Sequence, residues 1–415
     1  MKNAPTQEHD KTPHRGALEG MTILEWCTTL AGAFCGKLLA DMGAEVVKVE
    51  RPGAGDPSRA RGPFPGDTPN PEASGAFLYF NTNKKGVTLD VERPTGRALF
   101  LDLLRKADAL VVDRTRKQMK FLGLDYPRLE AHSPLLVFTT VTPYGWTGPN
   151  AEAKAYPLNI AHAGGEGFLL PGGMVNWGRP PVKVGYNVNE CDAGMAAATA
   201  TLAALFVRDS LGAGQHVDIS AQDVVLWLYR LNMATYTDQG FVTTRNNVSA
   251  SIGGCLPCKD GYVQLFMAGG DKEWQALVET MGSPEWTQDE RFRTEEGRMS
   301  HRDEVYTCLV QWTIERTKRE VFHQAQAHHT PIGMFSTTGD LLASEQMKAR
   351  QFFAVADHPG AGPLTYATAP YRMSATPWQA RRAAPLLGQH NHDVFCAWLG
   401  LSDQELVRLA QQGVV

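Results

Sequence analysis

Seven cysteines in 415 residues are few, odd in number and scattered, and no second C-x-x-C accompanies Cys255 and Cys258. A disulfide framework and a four-ligand structural zinc site both lack their residues, which leaves reduced thiols of the kind a cytoplasm maintains. No metal is expected. Excess charge is missing too: 40 Lys and Arg face 44 Asp and Glu, a formal net charge of -4 with a pI near 6.3. Such a balance gives no electrostatic reason to expect nucleic acid or an acidic membrane as partner. The longest apolar stretch, Met195 to Val207, runs about 13 residues, too short for a bilayer, and reads as a buried helix. Met1 to Gly16 is polar and mixed in charge, without the apolar core of a secretory signal, and reads as a flexible lead-in. The first strand-to-helix turn lacks G-x-G-x-x-G, so a dinucleotide site has no support.

What is present is an ordinary globular composition, 43% hydrophobic and 20% charged, long enough for two domains. Met21–Trp26, Ala31–Met42 and Ala44–Val49 read as strand, helix and strand. The alternation continues with Gly86–Asp90, a helix entered at Pro94, then Ala109–Val112 and Leu135–Thr140. It predicts an α/β fold with a parallel sheet covered by helices. Gly164 to Pro181 is glycine-rich and reads as a long loop. An Ala-rich helix over Ala193–Val207, a strand at Gln215–Ile219 and a helix from Gln222 follow. Cys258 to about Gln326 forms a smaller compact unit, with a strand at Tyr262–Met267 and helices around Lys272–Met281 and Arg302–Glu315. Ser402, with Glu405 three residues on, opens a final helix as a capping box.

Several stretches resemble class III CoA-transferases, the family of formyl-CoA transferase and carnitine CoA-transferase, in order and spacing from about Leu18 to Val415. They are Leu18-Glu19-Gly20-Met21 with Gly43 to Glu50, Asn83-Lys84-Lys85 before Thr88-Leu89-Asp90, Thr147-Gly148-Pro149, Leu202 to Leu205, and Ala384 to His390 followed by Leu399-Gly400-Leu401-Ser402. The resemblance implies a large Rossmann-like domain built from both chain ends (17–237 and 343–415), a small middle α/β domain (255–329) and linkers at 238–254 and 330–342. It also implies two subunits interlocked like links of a chain. Coenzyme A would be a substrate, with no permanently bound cofactor. A carboxylate would attack an acyl-CoA thioester, and backbone amides of Gly-rich loops would hold the oxyanions.

Site residues follow from the same resemblance. The family's nucleophilic Asp stands five residues past a Gly and four before another; Gly185 and Gly194 are that pair, so Glu190 occupies the position. Its extra methylene moves the carboxylate by more than the roughly 0.5 Å a preorganised site tolerates. The alternative is that Glu190 is only a polar residue at a helix N-terminus. A second acidic position is Pro157, which cannot move a proton. Arg51, Lys84, Lys154 and Tyr156 are the expected CoA-binding residues, with Arg51 falling on an arginine that contacts the nucleotide. Where the family has an Asn and a phosphate-facing Arg, this chain has Asp113 and Phe121; a carboxylate there would repel phosphates, and Arg114, Arg116, Lys117 and Lys120 would compensate.

Altered positions on an intact scaffold suggest a changed role. The leading expectation is a pseudo-catalytic subunit of a heteromeric CoA-transferase, of the kind that moves CoA from succinyl-CoA to benzylsuccinate, paired with an Asp-bearing paralogue. The alternatives are a self-sufficient homodimer using Glu190 and a non-catalytic CoA-binding scaffold. A racemase is disfavoured by Tyr156-Pro157. Acyl-CoA, a carboxylic acid and the second subunit are the expected partners.

Overall fold

A computed structural model describes residues 16–170, 180–244, 252–267 and 270–415. Strand β1 (Thr22–Trp26) is followed by helix α1 (Leu30–Asp41), whose first turn is capped by the Thr29 hydroxyl accepting from the Gly32 amide. Strand β2 (Glu45–Glu50) completes the βαβ unit, and Gly43, at φ +109°, makes the turn between them. Helix α2 (Gly75–Phe80), β3 (Lys85–Thr88), α3 (Pro94–Leu104) and β4 (Ala109–Val112) come next. They lead to α4 (Arg116–Leu122), α5 (Tyr126–His132), β5 (Val137–Thr142) and α6 (Pro157–Ala163). The long α7 (Val188–Leu211), β6 (His216–Ser220) and α8 (Ala221–Leu228) finish this run.

All six strands are parallel, in the order β3-β2-β1-β4-β5-β6. Residues of β1, β4 and β5 are buried on both faces, as a sheet covered by helices on each side requires. One face packs on α3 and the chain's last helix, through Phe100, Leu103, Phe138 and Leu409. The other packs on α1 and α7 through Cys35, Leu39, Ala193, Ala197 and Leu205. The expected parallel sheet covered by helices is therefore present. Order 3-2-1-4-5-6 puts the topological switch between β1 and β4, where such sheets open a ligand crevice at their carboxyl ends.

Helix α7 has 24 residues and is long and apolar enough to cross a membrane, against the shorter run expected. It is also only half buried. Asn189, Ala193, Gly194, Ala197, Thr201, Ala204 and Arg208 face inward, whereas Phe206 is 87% exposed.

Two compact units divide the chain: residues 1–166, 183–230 and 351–415 in one, 167–182 and 231–350 in the other. The second unit holds an antiparallel sheet of β7 (Ile252–Cys258), β8 (Gly261–Met267) and β9 (Ile332–Met334), with helices α9 (Asp271–Thr280), α10 (Arg302–Thr313) and α11 (Lys318–Ala327). β7 starts and β9 lies wholly in stretches expected as linkers. Gly253, Gly254 and Pro257 inside β7 erase the usual strand signal. Cys255 is exposed and Cys258 buried on that strand, an odd spacing that turns the two thiols to opposite faces.

The chain's end returns to the first unit as a hairpin of β10 (Phe353–His358) and β11 (Gly362–Ala367) and a closing helix α12 (Asp403–Gln411), whose Ser402–Glu405 capping box forms as expected. Edge strand β3 is sealed by this segment. The Gly86 amide donates to His390 Nδ1 at 3.1 Å, the Thr88 amide to Asn391 Oδ1 at 2.8 Å, and the Asp90 amide to the Val414 carbonyl at 2.8 Å. Residues 385–391 thus cover an edge that would otherwise invite another strand.

Candidate active site

Helix α7 begins at Val188, just after its N-cap residue Asn187, and Glu190 stands in its first turn. One turn on, Gly194 lies so close to α1 that a Cβ there would meet the Ala31 carbonyl oxygen at 2.7 Å and the Phe34 Cβ at 2.9 Å. Close packing therefore fixes where the helix starts. Glu190 is half buried, and its Oε2 is enclosed with no hydrogen-bond partner. Burial pushes its carboxyl pKa up, while Arg61 and Lys183 act in the opposite sense. An enclosed carboxylate oxygen without a donor is costly and uncommon.

Beside it, Asn189 donates to Glu166 Oε2 at 2.8 Å and Tyr229 donates to Glu166 Oε1 at 3.1 Å. Glu166 is buried and ties α7 to the end of α8. Asp192 is half buried, with its carboxyl pushed up by burial and by the Glu166 charge. Neither Glu166 nor its partners stood out in the sequence. Only its place in an otherwise glycine-rich stretch hinted at a fixed role.

A narrow pocket of about 80 Å³ joins Glu190 and Asn189 to Thr29, Thr142, Tyr156 and Pro157, at the carboxyl ends of β1 and β5. Tyr156 is 60% exposed and precedes Pro157, the first residue of α6, with its amide bonded to Asn159 Oδ1 at 2.9 Å. Lys154 is exposed, its ammonium 5.5 Å from the centre of the Tyr156 ring. Glu190 and Tyr156 thus line one pocket, with Lys154 at the tyrosine. Arg51 stands apart from its lining, exposed one residue past β2.

Residues 18–391 match the family model described as CoA-transferase family III. This chain belongs to the class III CoA-transferases. Succinyl-CoA--D-citramalate CoA-transferase of Chloroflexus aurantiacus is 32% identical over 406 residues, covering 96% of this chain and 98% of that protein. The succinyl-CoA--L-malate CoA-transferase alpha subunit of the same species is 29% identical, covering 99% and 96%. A crystal structure of a CAIB/BAIF family protein from Brucella suis superposes with a TM-score of 0.82 at 27% identity, over 92% of this chain and 99% of that one.

As a class III CoA-transferase the chain moves CoA between an acyl-CoA and an acid, with CoA as a substrate rather than a resident cofactor. Two expectations about its CoA site need correction. Lys84 is completely buried, its ammonium 2.6 Å from Glu25 Oε2 and donating to the Ala33 carbonyl at 2.7 Å and Asn81 at 2.8 Å. Lys48, equally buried, bridges Glu25 at 2.8 Å and Asp56 at 2.7 Å. Lys84 belongs to this internal charge network and has no surface to offer a nucleotide. Its neighbour Asn83 accepts from the Arg381 and Arg382 amides at 2.7 and 3.1 Å, so the Asn-Lys pair holds the chain's two ends together.

Asp113, expected to oppose phosphates, folds back onto the switch crevice. Its Oδ2 accepts from the Thr28 and Thr29 amides at 2.6 Å each, its Oδ1 meets Arg114 at 2.5 Å, and its side chain is 1% exposed. The carboxylate caps the approach to α1 and its charge is met locally. Phe121, in contrast, projects from α4 at 88% exposure, next to the exposed Arg116, Lys117 and Lys120.

Proposed function

We propose that this chain carries the acyl transfer itself, with Glu190 as the nucleophile. The enclosed, unpartnered Oε2 at a pocket supports the reading: a residue kept only as a polar helix start would turn both oxygens to water or to the helix amides. Burial raises the carboxyl's basicity, and a more basic carboxylate is the better nucleophile.

Glu190 attacks the thioester carbonyl carbon of an acyl-CoA, forming a mixed anhydride and expelling CoA thiolate. The thiolate then attacks the glutamyl carbonyl, releasing the donor acid as carboxylate and leaving a glutamyl-CoA thioester. The acceptor carboxylate attacks that thioester, and the thiolate returned by this step attacks the acceptor's acyl carbon, so the new acyl-CoA leaves with Glu190 regenerated. The Thr29 and Thr142 hydroxyls in the pocket are candidate donors to the oxyanions.

A second reading keeps the chain as the silent partner of an Asp-bearing paralogue. Pro157 and Phe121, in positions where the family carries an acid and a phosphate-facing Arg, favour it, as does the similarity to a protein named as an alpha subunit. Either way we propose a cytoplasmic, interlocked dimer; the seven cysteines, all free, fit a reducing compartment. Incubation with succinyl-CoA, then hydroxylamine and peptide mapping, separates the readings. A hydroxamate at Glu190 of the isolated chain supports the first, and its absence from folded protein, with labelling of a co-purified paralogue, supports the second.

A further inference from the structure

A second cavity, of about 740 Å³, opens at the start of α7 and is untouched by the chemistry above. Tyr79, Phe80, Tyr186, Pro63 and Val188 line it, together with Arg61. Its size and mostly apolar lining, with Arg61 and Asp192 as the charged residues, are those of a site for a small organic molecule. Asn187, Val188, Cys191 and Asp192 form one wall, while Asn189 and Glu190, between them in sequence, line the narrow pocket described above.

Arg61 sits on an anchored loop. The Ser74 hydroxyl donates to the Ser58 and Arg61 carbonyls at 2.7 and 2.5 Å, and the Gly75 amide donates to the Pro63 carbonyl at 2.8 Å. Two residues earlier, Arg59 is locked by Glu50 at 2.7 Å and stacks on Phe77 at 3.6 Å. The Arg61 guanidinium, however, makes only a long 3.4 Å contact to Asn187 Oδ1 and no ion pair among the described residues. The nearby Lys183 ammonium is already engaged by the Val184 and Tyr186 carbonyls, at 2.6 and 2.5 Å. The cavity thus presents one exposed cation, carried on an anchored loop, beside aromatic walls, and its single lining carboxylate, Asp192, opposes any second anion.

We infer that this cavity seats the acceptor acid, that Arg61 receives its carboxylate, and that the favoured acids carry one carboxylate and an aromatic or bulky apolar tail. Short dicarboxylates would leave a charge against Tyr79 and Phe80 or against Asp192, without a cation to meet it. The assignment of the acid as acceptor rests on the reading of Glu190 as nucleophile; the acid's binding does not.

Calorimetric titration of the full chain with 3-phenylpropionate, succinate and acetate tests it without turnover. 3-Phenylpropionate is expected to bind about tenfold or more tightly than succinate, and Arg61→Ala to weaken it by about tenfold, the scale of a lost charge-assisted contact. Arg61→Lys should restore part of that loss. Ala76 also lines the cavity, and Ala76→Phe, which fills it, should weaken 3-phenylpropionate and leave acetate unchanged, with circular dichroism confirming the fold of each variant. Succinate binding as tightly as 3-phenylpropionate, no measurable binding of any acid, or an Arg61→Ala variant that binds as wild type would each overturn the inference. Hydroxylamine labelling of Glu190 is read separately, so loss of the nucleophile reading and loss of this site are told apart.

Discussion

Glu190 carries opposing demands on stability and chemistry. Its carboxyl pKa is higher folded than unfolded, so between the two values only the folded chain holds the proton, and stability falls as pH rises through that window. Above the raised folded-state value the penalty is fully present. Glu190→Gln should therefore raise Tm at neutral pH, with the gain shrinking toward acid, while CoA transfer drops by roughly a thousandfold or more as a lost nucleophile requires. In wild type, transfer should fall as pH drops through the raised pKa. A variant that keeps its rate would return the chemistry to a partner subunit. Lys84 gives the contrasting case. Burial pulls its ammonium from 10.5 down to about 8, so the unfolded chain holds more protons between those values and stability rises with pH across them. Lys84→Met should cost about 3 kcal/mol near neutral pH by leaving Glu25 short of a partner, and flatten that rise. Differential scanning calorimetry reads both effects, and CoA affinity per folded molecule should be unchanged.

At the level of elements, the decisive contact is α1 against α7. Glycine in a solvent-facing helix usually costs about 1 kcal/mol relative to alanine, so Gly194→Ala would be stabilising on propensity alone. Its Cβ would sit 2.7 Å from a backbone oxygen of α1, and overpacking of that kind costs about 1–3 kcal/mol. We expect a lower Tm and slower hydroxamate formation at Glu190, one turn away, since parting the helices moves the carboxylate. A higher Tm with an unchanged labelling rate would show that the spacing of the two helices does not hold the site. Ser402→Ala, which removes the cap of α12, should cost about 1 kcal/mol without touching the rate.

On the scale of the whole molecule, the outer faces of α7 and α8 leave a groove of about 550 Å³ that includes Met195, Ala203 and Trp227. Phe206 is 87% exposed and Trp227 66%. Apolar surface of this kind fits the proposed dimer interface. Light scattering should find dimers at micromolar concentration, and Phe206→Glu with Trp227→Glu should give monomer or aggregate. A well-folded 45.4 kDa monomer of the wild-type chain would overturn the proposed interlocked dimer, since subunits threaded through one another would not persist as separate folded monomers.

Much of the architecture was legible beforehand, because it rests on local and periodic signals. Ala109–Val112 and the run ending at Thr140 are apolar on both sides, which only a covered parallel strand tolerates. Pro94 and Ser402 mark helix starts by their own chemistry. The ordered motifs from Leu18 to Ser402 pointed to the family, and the family's spacing, carried onto Gly185 and Gly194, implied Glu190 at the nucleophile position. What the sequence did not contain was the pairing of distant charges. Lys84 reads as a surface cation until Glu25, shared with Lys48, meets its ammonium in the interior, and Asp113 as a repelling anion until the amides of Thr28 and Thr29 close on it. Arg61 and Asn187, 126 residues apart, share a cavity only because packed helices and an anchored loop bring them together. Periodicity reports which face of an element is buried; which charge faces which is decided by long-range packing, which has no period to read.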